Sequence, residues 1–109
     1  MKTRLLHRWA MAEMIGYEPK TTFWDDFCIA DAFGKSAIKD TYRRAFAEWK
    51  TDYIYLTELV MVLNHKIWQW YECDEEVAQL YNDLWMKADA YAMKHLKGEE
   101  LSYYLRTLD

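Results

Sequence analysis

Apolar residues recur every three to four positions along most of the chain, which is the spacing of one face of an α-helix. The clearest stripe lies between Asp74, which opens a predicted helix, and Gly98, which ends it. Its members are Val77, Leu80, Tyr81, Leu84, Trp85, Ala88, Tyr91 and Ala92. No stretch alternates as a half-buried strand would, and no internal repeat occurs. The pattern therefore predicts an all-α fold.

Another helix is predicted at residues 23–33. Thr22 and Asp25 have the spacing of an N-terminal capping box with a shorter acid, and Gly34 is suited to close the helix as its C-terminal cap. Phe23 and Phe27 begin its apolar face.

Two longer helices are predicted in the middle of the chain. Ser36 is a candidate cap for a helix at residues 37–50, and Asp52 is a candidate cap for a helix from residue 53 to about residue 72. The second of these is apolar nearly all round, which is typical of a central, buried helix. The alternative is one continuous helix with a kink at Thr51 and Asp52. The predicted core residues are Phe46, Leu59, Val60, Leu63, Leu80 and Leu84.

The ends of the chain carry shorter apolar patterns. Residues 5–15 permit a short helix, and residues 99–108 are consistent with one or two helical turns docking on the bundle. We therefore predict a single domain over residues 1–109. It consists of an N-terminal segment (1–20) and a compact bundle (22–108), which has three to four main helices and a docked C-terminal tail.

Three strings carry a resemblance to a known group: TFWDDF at 22–27, IKDTY at 38–42 and YLTELVMVLN at 55–64. From Thr22 to Tyr104 the chain resembles short uncharacterised proteins from mobile elements and genomes of intestinal anaerobes. That group has no assigned activity, so no functional residues transfer. The resemblance implies an accessory protein of bacterial or phage origin.

Aromatic residues are unusually abundant, since six Trp, nine Tyr and four Phe make up 17% of 109 residues. A domain of this size cannot bury every large ring, and exposed aromatic rings are enriched at interfaces. Trp24, Tyr55 and Trp68 lie off the main apolar stripes and are candidate interface residues. The leading hypothesis is a non-enzymatic module that binds another protein or a second copy as a homo-oligomer. Alternatively, the rings straddle the core boundary with their polar tips in water.

A net charge of −4 and an isoelectric point near 5.3 argue against nucleic-acid binding through a broad basic surface. Even so, Lys35, Lys39 and Arg43 recur every four residues and form a candidate nucleic-acid face. They support the alternative of a small DNA-binding regulator. The same stripe is typical of a solvated face, and the helix lacks the side chains that read base edges.

Acidic residues concentrate at the junction between the helix predicted from residue 53 to about residue 72 and the helix that Asp74 opens. Neither Lys nor Arg occurs between Trp68 and Met86, and the acids there are Glu72, Asp74, Glu75, Glu76 and Asp83. This polarity favours docking to a basic surface, which could lie in the same chain, in a second copy or in a foreign partner. A nucleic-acid-mimicking inhibitor from a mobile element is a further alternative.

Residues that could carry catalysis do not form a recognisable motif. The three histidines lie on different segments, and no metal-ligand spacing, nucleophile elbow or phosphate loop is found. We therefore predict no enzymatic activity, no metal and no cofactor. The sequence shows no secretory signal and no apolar run of about 20 residues. Cys28 and Cys73 are expected to be free thiols in a cytoplasmic protein.

Overall fold

A computed structural model describes residues 18–108 of the chain as five α-helices joined by short turns. They are α1 (Phe23–Phe33), α2 (Lys35–Trp49), α3 (Tyr53–Trp70), α4 (Glu75–His95) and α5 (Glu99–Leu108). No strand occurs between residues 18 and 108, and the prediction of an all-helical chain is confirmed. None of the helices in this range has the length and apolar character needed to cross a membrane. The helix predicted at residues 5–15 lies outside the described residues.

Helix α3 lies at the centre of the bundle because it is apolar on nearly every side. All eight residues from Leu56 to Leu63 are buried, and α3 contacts each of the other four helices. Its largest interface is with α4. Five of the six predicted core residues are buried: Leu59, Val60, Leu63, Leu80 and Leu84. Phe46 is half-buried at the edge of this core, where its ring stacks on Tyr42 and meets the ring of Tyr91.

Two of the predicted helix starts are confirmed by side-chain capping. The Oδ1 atom of Asp52 accepts hydrogen bonds from the amides of Ile54 and Tyr55 at 3.0 and 3.2 Å. Asp74 makes the same pair of bonds at the start of α4. Each carboxylate thus satisfies amides in the first turn that have no partner within the helix.

The predicted capping box at the start of α1 is wrong. Thr22 occupies the N-terminal cap position without a side-chain cap bond, and its hydroxyl instead donates to the Oδ2 atom of Asp26 at 3.0 Å. The neighbouring Thr21 hydroxyl accepts from the amide of Phe23 at 3.2 Å. An Asp side chain at position 25 therefore plays no capping role towards Thr22.

Gly34 is the single residue between α1 and α2, and it serves both helices. Its amide donates to the carbonyl of Ala30, and its carbonyl accepts from the amide of Ile38, each at 3.1 Å. A φ of +105° makes glycine the favoured residue here. Because α2 begins directly after Gly34, Ser36 lies inside the helix and the prediction that it is the cap is wrong.

The C-terminal helix follows a turn at Gly98. Helix α4 ends at His95, three residues before the predicted end, and Gly98 has a φ of +62°. In α5 the side chain of Tyr104 is buried, and its hydroxyl donates to the carboxylate of Asp89 in α4. Burial is the main cause that raises the pKa of Tyr104, and the hydrogen bond to Asp89 raises it further.

Candidate interaction surface and buried polar clusters

A lysine ammonium group is completely buried between α1 and α3. The side chain of Lys66 is 0% exposed. Its Nζ atom donates to Asp31 Oδ2 at 2.7 Å, Gln69 Oε1 at 2.9 Å and Cys28 Sγ at 3.2 Å. The same atom lies 4.5 Å from the centre of the Trp24 ring, a cation–π distance. All three ammonium hydrogens are therefore used, as a buried charge requires.

Asp31 joins this lysine to two other side chains. Its carboxylate also accepts from the hydroxyl of Tyr81 in α4 and from the indole nitrogen of Trp70 at 3.3 Å. Burial raises the pKa of Tyr81, and the bond to Asp31 raises it further. The network thus fixes α1 against both α3 and α4.

The thiol of Cys28 belongs to this cluster, but its surroundings do not activate it. Burial raises the pKa of Cys28 above its usual value, although the nearby Lys66 ammonium acts in the opposite direction. A thiol with a raised pKa holds little of the reactive thiolate at neutral pH. Neither Cys28 nor Cys73 is in a disulfide.

A second buried carboxylate, that of Glu58, holds the segment that precedes α1. Its Oε1 atom accepts from the amide of Lys20 at 2.7 Å, and its Oε2 atom accepts from the amide and the hydroxyl of Thr21, with the amide at 2.9 Å. Glu58 lies in the middle of α3 and is buried. No role for Glu58 was predicted, although a glutamate inside a helix that is apolar nearly all round is a signal for a buried polar contact.

Histidines contribute little chemistry to these clusters. The half-buried His65 ring meets the edge of the Trp24 ring, and burial lowers the pKa of His65. His95 stacks on Tyr91. From residue 18 to residue 108, no three His, Cys, Asp or Glu side chains are grouped so that they could hold a metal ion.

The three candidate interface residues do not form one exposed patch. Trp24 is only 6% exposed, so the expectation that it lies on the surface is wrong. Its position off the main stripe of α1 is explained by a second contact, because it packs under Lys66 and His65 of α3. Tyr55 is half-buried against the ring of Trp49, with ring centres 4.3 Å apart.

Trp68, the third candidate, is exposed and has a neighbour that the sequence analysis did not select. Trp68 and Tyr71 are 67% and 64% exposed, and their ring centres are 5.7 Å apart. Every residue from Tyr71 to Glu76 is also exposed. We call Trp68 together with residues 71–76 the acidic corner.

A groove of about 680 Å³ opens beside the acidic corner, between the end of α3 and the start of α4. Among residues 18–108, the charged side chains that line it are Glu72, Asp74 and Glu75, and no Lys or Arg does so. Ile67, Tyr71 and Ala78 add apolar surface. The corner therefore presents exposed rings and negative charge side by side.

The three residues of the candidate nucleic-acid face, Lys35, Lys39 and Arg43, do not lie on one surface. Lys35 forms an exposed ion pair with Glu76 of α4 at 3.2 Å. Lys39 and Arg43 instead line a groove of about 540 Å³ between α2 and α4, together with Lys50 and Lys87. We call this the basic groove. Lys87 could not be predicted as part of this surface because it lies on a different helix, α4.

Comparisons with known proteins do not extend this description. No protein-family model, curated protein or solved structure matches the chain. The structure defines the class as an all-helical bundle, and the resemblance to accessory proteins of intestinal anaerobes stays a prediction.

Proposed function

We propose that the protein is a non-enzymatic interaction module that binds a partner protein through the acidic corner. The observation that carries the proposal is the contact between the two exposed rings of Trp68 and Tyr71 at the edge of an acidic groove. Large rings that become buried on binding supply much of the energy of an interface. The adjacent carboxylates favour a partner whose contact surface is basic.

The buried polar clusters support a structural rather than a catalytic use of the titratable groups. The bonds of Lys66 and Asp31 join helices, and those of Glu58 hold the segment before α1. Cys28, which lies beside a cation, has a raised pKa. These groups are committed to the fold, so they favour binding over catalysis as the role of this chain.

A DNA-binding regulator remains the second candidate. Two of the three cations predicted for that role are paired with carboxylates, Lys35 with Glu76 and Arg43 with Asp40 at 2.9 Å. Such pairing reduces the charge offered to phosphates, and it favours a protein partner.

In this proposal residues 1–109 act as one cytoplasmic domain with the tail helix docked, as in an accessory protein of bacterial or phage origin. An inhibitor that mimics nucleic acid is the special case in which the partner binds nucleic acid.

The test uses the exposed rings and a matched control. Trp68→Ala should weaken binding of a partner isolated from the host by about 2 kcal/mol, or roughly 30-fold, as an interface anchor does. Met93→Ala removes an apolar side chain that is 49% exposed near the end of α4, opposite the end at the acidic corner, and should leave the affinity unchanged. Titration calorimetry with the purified partner measures both affinities. Equal binding by wild type and Trp68→Ala would refute the assignment of the surface.

A further inference from the structure

We infer that the partner of the acidic corner is the basic groove of a second copy of this chain, in a head-to-tail contact. This inference rests on the proposed function, because it uses the same corner as one half of the interface. It identifies the surface on the partner molecule, which the proposed function does not specify.

Opposite charge at the two surfaces is the first argument. In the described part of the chain, the basic groove is lined by Lys39, Arg43, Lys50 and Lys87 and by one carboxylate, that of Asp83. The groove beside the acidic corner holds, among the residues that the structure describes, three carboxylates and no cation. The two surfaces therefore carry opposite predominant charge, which guides association and sets the register of an interface.

Among residues 18–108, the lysines of the basic groove have no carboxylate partner, and the Lys50 ammonium lies over the rings of Phe46 and Tyr91, 5.7 and 5.9 Å from their centres. Within residues 18–108, Lys39, Lys50 and Lys87 make no ion pair, and Asp83 is held by the side-chain amide of Gln79 at 3.0 Å. A carboxylate that enters the groove would thus meet three cations without breaking an existing ion pair.

Apolar surface also matches between the two halves. Tyr42 and Phe46 form the floor of the basic groove with Leu80 and Leu84, and the corner presents the rings of Trp68 and Tyr71. An aromatic ring that enters a groove edged by lysines gains apolar burial and cation–π contacts together. The corner is accessible along its whole length from residue 71 to residue 76.

The two surfaces lie on different sides of α4, so one molecule can use both. Ala78 and Asn82, four residues apart on one side of the helix, line the acidic groove. Asp83 and Lys87, four residues apart on another side, line the basic groove. A contact between unlike surfaces leaves one free surface on each end molecule, so copies add in series unless the series closes into a ring.

Two charge-reversal variants test the inference by sedimentation velocity over a concentration series. The corner variant is Glu72→Lys with Glu75→Lys, and the groove variant is Lys39→Glu with Lys87→Glu. Matched controls carry the same charge changes elsewhere on exposed residues: Glu99→Lys with Glu100→Lys, and Lys94→Glu with Lys97→Glu. Circular dichroism establishes that every variant is folded.

We expect the mass of the wild type to rise with concentration, and each reversal variant to associate more than about tenfold more weakly because like charges then face each other. An equimolar mixture of the two variants should regain association, since each supplies the surface that the other lacks. The controls should behave as the wild type does. Raising the salt from about 0.1 M to about 1 M, which shortens the Debye length from roughly 10 Å to roughly 3 Å, should weaken association.

Three results would overturn the inference. The first is a wild type that stays monomeric at every concentration. The second is a groove variant that associates as well as the wild type, which would indicate contact between like surfaces. The third is a monomeric wild type that binds a labelled oligonucleotide while the groove variant does not, which would assign the groove to nucleic acid. In each case the proposed function still holds if a partner from the host binds the wild type more tightly than the Trp68→Ala variant.

Discussion

The buried pair formed by Asp31 and Lys66 allows a quantitative test of the fold. Asp31→Asn keeps the shape of the side chain but removes its charge. Asp31 is the one carboxylate, among those in residues 18–108, that bonds to the fully buried Lys66 ammonium, at 2.7 Å. Breaking a buried ion pair at one partner leaves an uncompensated charge, so the free energy of unfolding should fall by about 3–5 kcal/mol.

Lys66→Met should be less costly than Asp31→Asn. Without Lys66, the Asp31 carboxylate still accepts from the hydroxyl of Tyr81 and the indole of Trp70. Hydrogen bonds to a charged group contribute about 1.5–3 kcal/mol each, so the remaining carboxylate keeps a large part of its stabilisation. We expect a loss of about 2 kcal/mol, below the range of about 3–5 kcal/mol for a broken buried pair, because these hydrogen bonds remain.

The double variant separates the pair interaction from other effects. Replacing both partners removes the uncompensated charge, so the double variant should be no less stable than Asp31→Asn alone, with a coupling energy of about 2–3 kcal/mol. Urea unfolding followed by circular dichroism gives the free energies, with equal slopes indicating a common unfolded state. Additivity of the two single losses within about 0.5 kcal/mol would refute a direct interaction between these residues.

Three further predictions concern single side chains. Leu84→Ala should lower the free energy of unfolding by about 2–5 kcal/mol because Leu84 is buried, and an unchanged melting temperature would show that the core face of α4 is misassigned. Burial lowers the pKa of His65 below its usual 6.5, so the unfolded chain binds more protons below that pH and stability should fall as the pH drops from 6.5 towards the folded-state pKa. His65→Gln should lack this part of the pH dependence, and urea unfolding at several pH values measures it. Glu58→Gln should lower the free energy of unfolding, measured by urea or heat, by about 1–3 kcal/mol, because an amide nitrogen then faces a backbone donor. An unchanged free energy of unfolding would contradict the observed bonds.

Features determined by neighbouring residues could be predicted from the sequence. The apolar stripe of α4 and the caps at Asp52 and Asp74 depend on spacings of a few residues, and the structure has them where the sequence predicted. The start of α2 was misplaced because Gly34 and Ser36 both suit a helix boundary. Only the backbone geometry at Gly34 decides between them.

Features that depend on which helix faces meet could not be predicted in this way. Trp24 lies off the stripe of α1, and it is buried because α3 packs on that side as well. The contact between Lys66 and Asp31 joins residues 35 positions apart. The basic groove likewise combines the predicted Lys39 and Arg43 with Lys87 from another helix. Helical periodicity indicates the apolar side of each helix, but it does not say which helices become neighbours.

The bonds from Lys20 and Thr21 to Glu58 have a consequence for hydrogen exchange. Both residues precede α1 and lie outside every helix, where backbone amides usually exchange quickly with solvent. Their amide hydrogens point instead to a carboxylate in the buried middle of α3. Exchange at these two positions requires the segment to separate from this carboxylate, so it should be slower than at turn amides that have no such partner. Protection from exchange would then begin, in the described part of the chain, before the first helix does.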